Sequence, residues 1–195
     1  NPASTVYTGY AVSSEWEAVN NLQIGGRNLI AKKYIRDWNT VYNGITVEGS
    51  DADGDYLAIH QSLLYQYLSG DTSDIFQGKI AYKPNTQYAF KVRWKMAGSQ
   101  SYQGLMLRFK YSDGTYSSYI ELPGNQTTIV ENSTITATGK TVVGILSSYG
   151  ASIYRSLIYD IQLTEGNKQT GGYLVAPEDV QAEIDAAQTT AGEAL

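Results

Sequence analysis

Residues 87–111 limit what this chain can fold into more than any other stretch. In QYAFKVRWKM, Tyr88, Phe90, Val92, Trp94 and Met96 alternate with Lys91, Arg93 and Lys95. In LMLRFKY, Leu105, Leu107, Phe109 and Tyr111 alternate with Met106, Arg108 and Lys110. Successive side chains leave opposite faces of a pleated strand, so strict alternation over this length specifies half-buried antiparallel strands. The intervening AGSQSYQG is small and polar, as a hairpin connection requires. The expectation is two neighbouring strands with an aromatic and aliphatic inner face, which places Trp94 in the core. Their outer face would carry five cations.

Short β-type runs recur along the rest of the chain. They cover Tyr56–His60, Leu63–Leu68, Thr127–Val130, Ser133–Thr138, Thr141–Leu146 and Ile153–Leu163. Turn signals separate them: Asn43-Gly44 within the aromatic and β-branched stretch from Trp38 to Val47, Lys83-Pro84-Asn85-Thr86, and Asp113-Gly114 between Tyr111 and Tyr116. Regularly spaced strands without a helical period indicate an all-β sandwich or barrel. The 17 tyrosines suit half-exposed strand positions and also supply flat rings for ligand contact.

The period changes at the C-terminal end, where Val180, Ile184, Ala187, Ala191 and Leu195 recur at helical spacing behind Pro177-Glu178-Asp179. Proline followed by acids suits a helix start. The expected organisation is a linker over 1–24, a β-domain over 25–176, and a helix over 177–195 that could begin a coiled coil. The chain opens at Asn1 and reads as a segment of a longer protein.

Several function classes lose support from composition. A net charge of −5 leaves no overall basic footprint for nucleic acid. Without cysteine there are no disulfides, thiolate metal sites or Cys nucleophile. No apolar run is long enough to span a bilayer. The single histidine, His60, would have to serve any Ser-His-Asp arrangement, and no Gly-x-Ser-x-Gly elbow exists. Gly139-Lys140-Thr141 has Thr134 where a phosphate loop needs its first glycine, and it precedes a strand. The expectation is a non-enzymatic domain.

Three groups of residues remain as candidates for binding. Lys91, Arg93, Lys95, Arg108 and Lys110 on one face would attract an anionic ligand, or else pair with Asp and Glu on adjacent strands. Trp38, Tyr42, Tyr102, Tyr149 and Tyr154 fall off the inner alternation and offer rings on which sugar C–H faces stack. Asp51, Asp53 and Asp55 supply hard oxygen ligands for a structural calcium, although Gly54 comes too early for an EF-hand and no Glu closes the loop. The alternative there is a solvated acidic turn, with no cofactor at all.

The two edges of the β-domain carry more specific motifs. Asn21–Ile30, reading NLQIGGRNLI, opens it, and Tyr159–Thr170, reading YDIQLTEGNKQT, closes it, followed by Ala176-Pro177-Glu178-Asp179-Val180. Together these resemble a module of tail and baseplate proteins of bacteriophages, especially those of Gram-positive bacteria. In that module a Gly-Gly-Arg-Asn-Leu opening and a Leu-x-x-Gly-x-x-x-Thr closing bracket a jelly-roll domain like a carbohydrate-binding module. The resemblance covers roughly residues 22–180, with its specific motifs at the edges. One departure is visible: Gly171-Gly172-Tyr173 stands where relatives often have a tryptophan.

The resemblance implies a jelly-roll β-sandwich with a short C-terminal helix, acting as a non-catalytic carbohydrate-binding module. It implies a virion tail location and host cell-wall or capsular polysaccharide as partner during adsorption. Other tail or baseplate proteins, and two further copies in a homotrimer joined through Val180, Ile184 and Ala187, would be protein partners. Nucleic acid and membrane are not expected partners. A structural spacer of the tail is the alternative function, followed by a polysaccharide-degrading enzyme domain.

Overall fold

The computed structural model describes residues 26–70, 72–148, 156–169 and 171–193, with 190–193 described by backbone alone. The expected linker over 1–24, together with Tyr149 and Tyr154, lies outside them.

The described chain runs through two short helices, α1 (Lys32–Arg36) and α2 (Trp38–Val41), into β1 (Thr46–Asp51) and β2 (Gly54–Ile59). A helical turn, α3 (Gln61–Leu64), continues into a π-helical turn at Tyr65–Ser69. Then follow β3 (Tyr88–Met96), β4 (Met106–Tyr111), β5 (Ile120–Glu121), β6 (Val130–Ile135), β7 (Val142–Ser147), β8 (Ser156–Glu165) and α4 (Pro177–Glu193). The strands form two antiparallel sheets, a five-stranded one ordered β1-β2-β8-β3-β6 and a three-stranded one ordered β5-β4-β7. Both sheets feed one buried cluster. Tyr88, Phe90, Val92, Trp94 and Met96 of β3 are its centre, and each is buried.

The alternation identified the apolar faces but not the strand neighbours. β3 and β4 are not a hairpin. They lie in different sheets, and Phe90 meets Phe109 edge to face at 5.8 Å across the core. The link from Met96 to Met106 crosses between layers, which stand about 10 Å apart in packed sheets. The five cations therefore do not share one face. Lys91, Arg93 and Lys95 point outward from the large sheet, and Arg108 and Lys110 from the small one.

Two runs read as β-type are helical. Leu63–Leu68 is occupied by α3 and the π-helical turn, and Trp38–Val41 is α2. Leu64 and Leu68 stand four apart, both against the core, and Gly70 takes a left-handed φ of 50° as the C-cap. His60 is the N-cap: its Nδ1 accepts from the Leu63 N–H at 3.4 Å. The Asp113-Gly114 turn falls as expected, with Gly114 at φ 83° and a bridge between Lys110 and Tyr116.

The edge motifs knit the two ends of the domain together. Asn28 is 3% exposed, and its amide serves four backbone groups. Nδ2 donates to the Ile161 and Leu174 carbonyls, each at 3.1 Å, and Oδ1 accepts from the Ile30 and Leu163 N–H groups, each at 3.0 Å. Only a side chain with both donors and an acceptor meets that demand. Gly166 holds φ 122°, a region closed to most side chains, while its N–H donates to Gln87 O at 2.8 Å. Asp179 of α4 accepts from the Lys32 and Lys33 N–H groups at 2.8 and 2.9 Å, capping α1, and Arg27 pairs with Glu178 at 3.1 Å. These motif residues close the domain.

Candidate functional site

The short helices at the start of the domain and the π-helical turn frame a groove of about 630 Å³. Its lining includes Tyr34, Trp38, Val41, Tyr67, Asp74 and Lys79. The segment after the π-helical turn is held against the free edge of β7: Ile75 N–H donates to Ile145 O at 2.9 Å, and Ser69 Oγ accepts from Ser147 N–H at 3.0 Å. Gly144 permits this approach, because a Cβ there would stand 2.8 Å from the Asp74 Cβ. Sealing the edge in this way also fixes one wall of the groove.

Trp38 is the floor. It is 4% exposed, its indole N–H donates to Ile75 O at 2.9 Å, and its ring leans on Phe76 at 5.6 Å. It supports the site and offers little open ring. Tyr42, at the C-terminal end of α2, stacks on Tyr67 of the π-helical turn with centroids 4.2 Å apart and planes 7° from parallel. These two rings are 40% and 41% exposed, and neighbouring Val41 is 57% exposed. Each ring covers one face of the other, so the pair presents its outer faces, edges and polar tips to solvent, and Tyr67 lines the groove.

Tyr67 was not singled out from sequence, because Leu63–Leu68 read as a strand and hid the turn that presents it. The four-residue spacing of Leu64 and Leu68 followed by Gly70 is the signal that exposes the helical geometry.

The groove's charges are already engaged. Asp37 receives Lys33 Nζ at 2.9 Å and Lys79 Nζ at 3.5 Å. Asp74 Oδ1 accepts from Ile145 N–H at 2.9 Å, Phe76 N–H at 3.1 Å and the Tyr82 hydroxyl at 3.3 Å. Burial pushes the Asp74 carboxyl up in spite of these bonds. Tyr82 beside it is raised well above the usual phenol value, first by burial and then by that carboxylate. Burial also pushes the Tyr34 hydroxyl up. Burial lowers the His60 imidazole, which favours the neutral form whose Nδ1 accepts as a cap.

The remaining residues singled out from sequence are dispersed. Lys91 is 2% exposed, donates to Gly172 O at 2.6 Å and lies 4.2 Å over the Tyr173 ring, so the closing Gly-Gly-Tyr segment covers it. Arg93 Nε donates to Asp160 at 2.7 Å. Lys95 Nζ takes the place of a cation between Asp51 and Asp53, at 2.8 and 2.6 Å. The Tyr159 hydroxyl completes that cluster, donating to Asp51 at 2.7 Å. Asp55 sits across the β1–β2 hairpin, paired in register with Ser50. Among the described residues no group of three or more acids or histidines is arranged to hold a metal ion. Lys110 donates to Thr72 O at 3.1 Å, and Tyr102 is 61% exposed in the link between β3 and β4. No described helix is long and apolar enough to cross a membrane.

No protein-family model matches the chain, and no curated protein matches it either.

Proposed function

We propose that this chain is a non-catalytic saccharide-binding domain, a β-sandwich of jelly-roll type, and that the groove beside Tyr42 and Tyr67 holds the sugar. The observation that carries the reading is the half-exposed Tyr67, which lines a groove floored by Trp38 and is held in place by the stacked ring of Tyr42. Rigid aromatic faces bind sugar rings at low entropic cost. The absence of catalysis is supported by the state of the acids and the histidine in and near the site. Asp37 is neutralised by two lysines, Asp74 is occupied by three donors, and His60 caps a helix. The ligand class is a neutral stretch of cell-wall or capsular polysaccharide. A place in a phage tail or baseplate rests on the resemblance of the opening and closing motifs.

The test is a pull-down of the fluorescently labelled domain on intact bacteria and purified wall polysaccharides, with Tyr42→Ala/Tyr67→Ala alongside. The reading predicts saturable binding that the double variant loses by about tenfold or more, since each stacked ring contributes roughly 0.5–1.5 kcal/mol. Absence of binding across the panel would favour a structural spacer. Shortened polysaccharide chains in a mass spectrum would identify an enzyme instead.

A further inference from the structure

We propose that Arg108, in cation–π contact with both Tyr116 and Tyr119, is a second binding site on the outer face of the three-stranded sheet, and that it takes a carboxylate or phosphate group. The Arg108 guanidinium lies 4.0 Å from the centroid of the Tyr116 ring and 4.9 Å from that of Tyr119. The Asp113-Gly114 turn returns the chain so that Tyr116 bridges to Lys110, and the approach to β5 brings in Tyr119. Both rings are half-exposed, at 40% and 37%.

What sets this arginine apart is its lack of a carboxylate. Among the described residues, Arg27 pairs with Glu178, Arg36 with Glu48 and Arg93 with Asp160, whereas Arg108 forms no ion pair. Glu121 stands opposite Met106 on the same face and makes no ion pair with it. Two rings therefore order the guanidinium while the edge that carries its N–H fork is left without an acid. A guanidinium in contact with two rings gives up part of its rotamer freedom in advance, and its fork matches a pair of anionic oxygens. Lys110, two residues along the same strand face, adds positive potential. This site lies on the opposite sheet from Lys91, Arg93 and Lys95, and it does not rest on the saccharide reading of the groove.

The experiment follows the Arg108 side-chain Nε–H signal by NMR while the domain is titrated with polygalacturonate, poly(glycerol phosphate) or neutral dextran. The proposal predicts that this signal moves with at least one polyanion and stays still with dextran. Response to polygalacturonate alone assigns a carboxylate ligand; response to poly(glycerol phosphate) alone assigns a phosphate; response to both assigns the shared oxyanion chemistry. Arg108→Lys should weaken binding about tenfold, because the ammonium keeps the charge and loses the planar fork. Tyr116→Leu should weaken it several-fold with the thermal transition preserved. An Arg108 signal unmoved by either polyanion, or an Arg108→Lys variant that binds as the wild type does, would overturn the proposal.

Discussion

Asn28 shows how much a single residue carries in this domain. Three of its four hydrogen bonds join the opening segment to β8 and to the closing segment, and the fourth is local to Ile30; all but the part-buried one to Leu174 are buried. Asn28→Ala leaves four backbone groups without their partner, and we expect a loss of about 3 kcal/mol in chemical denaturation. Asn28→Asp should cost at least as much, since an oxygen would then face the Ile161 and Leu174 carbonyls. A loss below about 1 kcal/mol would contradict this role. Electrostatics make a second residue-scale prediction. Lys95 first, and then the Tyr159 hydroxyl, hold the Asp51 carboxyl at about 2. A depressed carboxylate contributes stability above its ordinary value, and that contribution is lost as pH falls from about 4 towards 2. Lys95→Met should flatten this acid limb of the stability profile, and an unchanged limb would refute the assignment. At this scale the sequence showed which residues were cationic but not what each would meet. Lys91, Arg93 and Lys95 found a carbonyl, Asp160 and the Asp51–Asp53 pair, because partners come from segments distant in sequence.

Elements explain why some of the fold was readable and some was not. β4, with one buried face, announces itself by period two, and so does β3 through its alternation of aromatic and cationic residues, although most of both its faces are covered. The closing helix announces itself by Pro177 and the acids behind it. Pairing does not announce itself: an alternating strand needs an apolar surface opposite, and another sheet supplies it as well as a hairpin neighbour does. The Leu63–Leu68 stretch was misread because six residues are too few to separate helical from strand periods when tyrosines and leucines are mixed. That error concealed Tyr67, and with it half of the stacked tyrosine pair. The helices also depend on one another. α1 has only five residues and takes its N-cap from Asp179 of α4, two bonds from a distant element. Asp179→Ala should cost about 1 kcal/mol and speed amide exchange at Lys32 and Lys33. Protection at those amides equal to the wild type would show that α4 does not cap α1.

Across the whole molecule, the two sheets share one core and turn different chemistry outward. The large sheet's outer face is occupied by its own ion pairs and by the closing segment. The small sheet's outer face carries Arg108 against two tyrosine rings, with no ion pair among the described residues. The helical corner presents Tyr67, stacked on Tyr42, at the groove. Its position follows from the sealing of the β7 edge by Ser69, Asp74 and Ile75, which a sequence pattern does not display. The described residues of the edge motifs spend their side chains on bonds between the opening segment, β8 and the closing segment, which is why they point to no ligand. The measurement that tests the central claim most directly is chemical-shift mapping of the isotopically labelled domain with the wall polysaccharide that binds it best. The account predicts perturbations centred on Tyr34, Tyr42 and Tyr67 and on the Trp38 indole N–H, weakened several-fold at the same ligand concentration in Tyr67→Ala. Perturbations confined to the outer faces of the sheets, with the Trp38 indole unmoved, would contradict it.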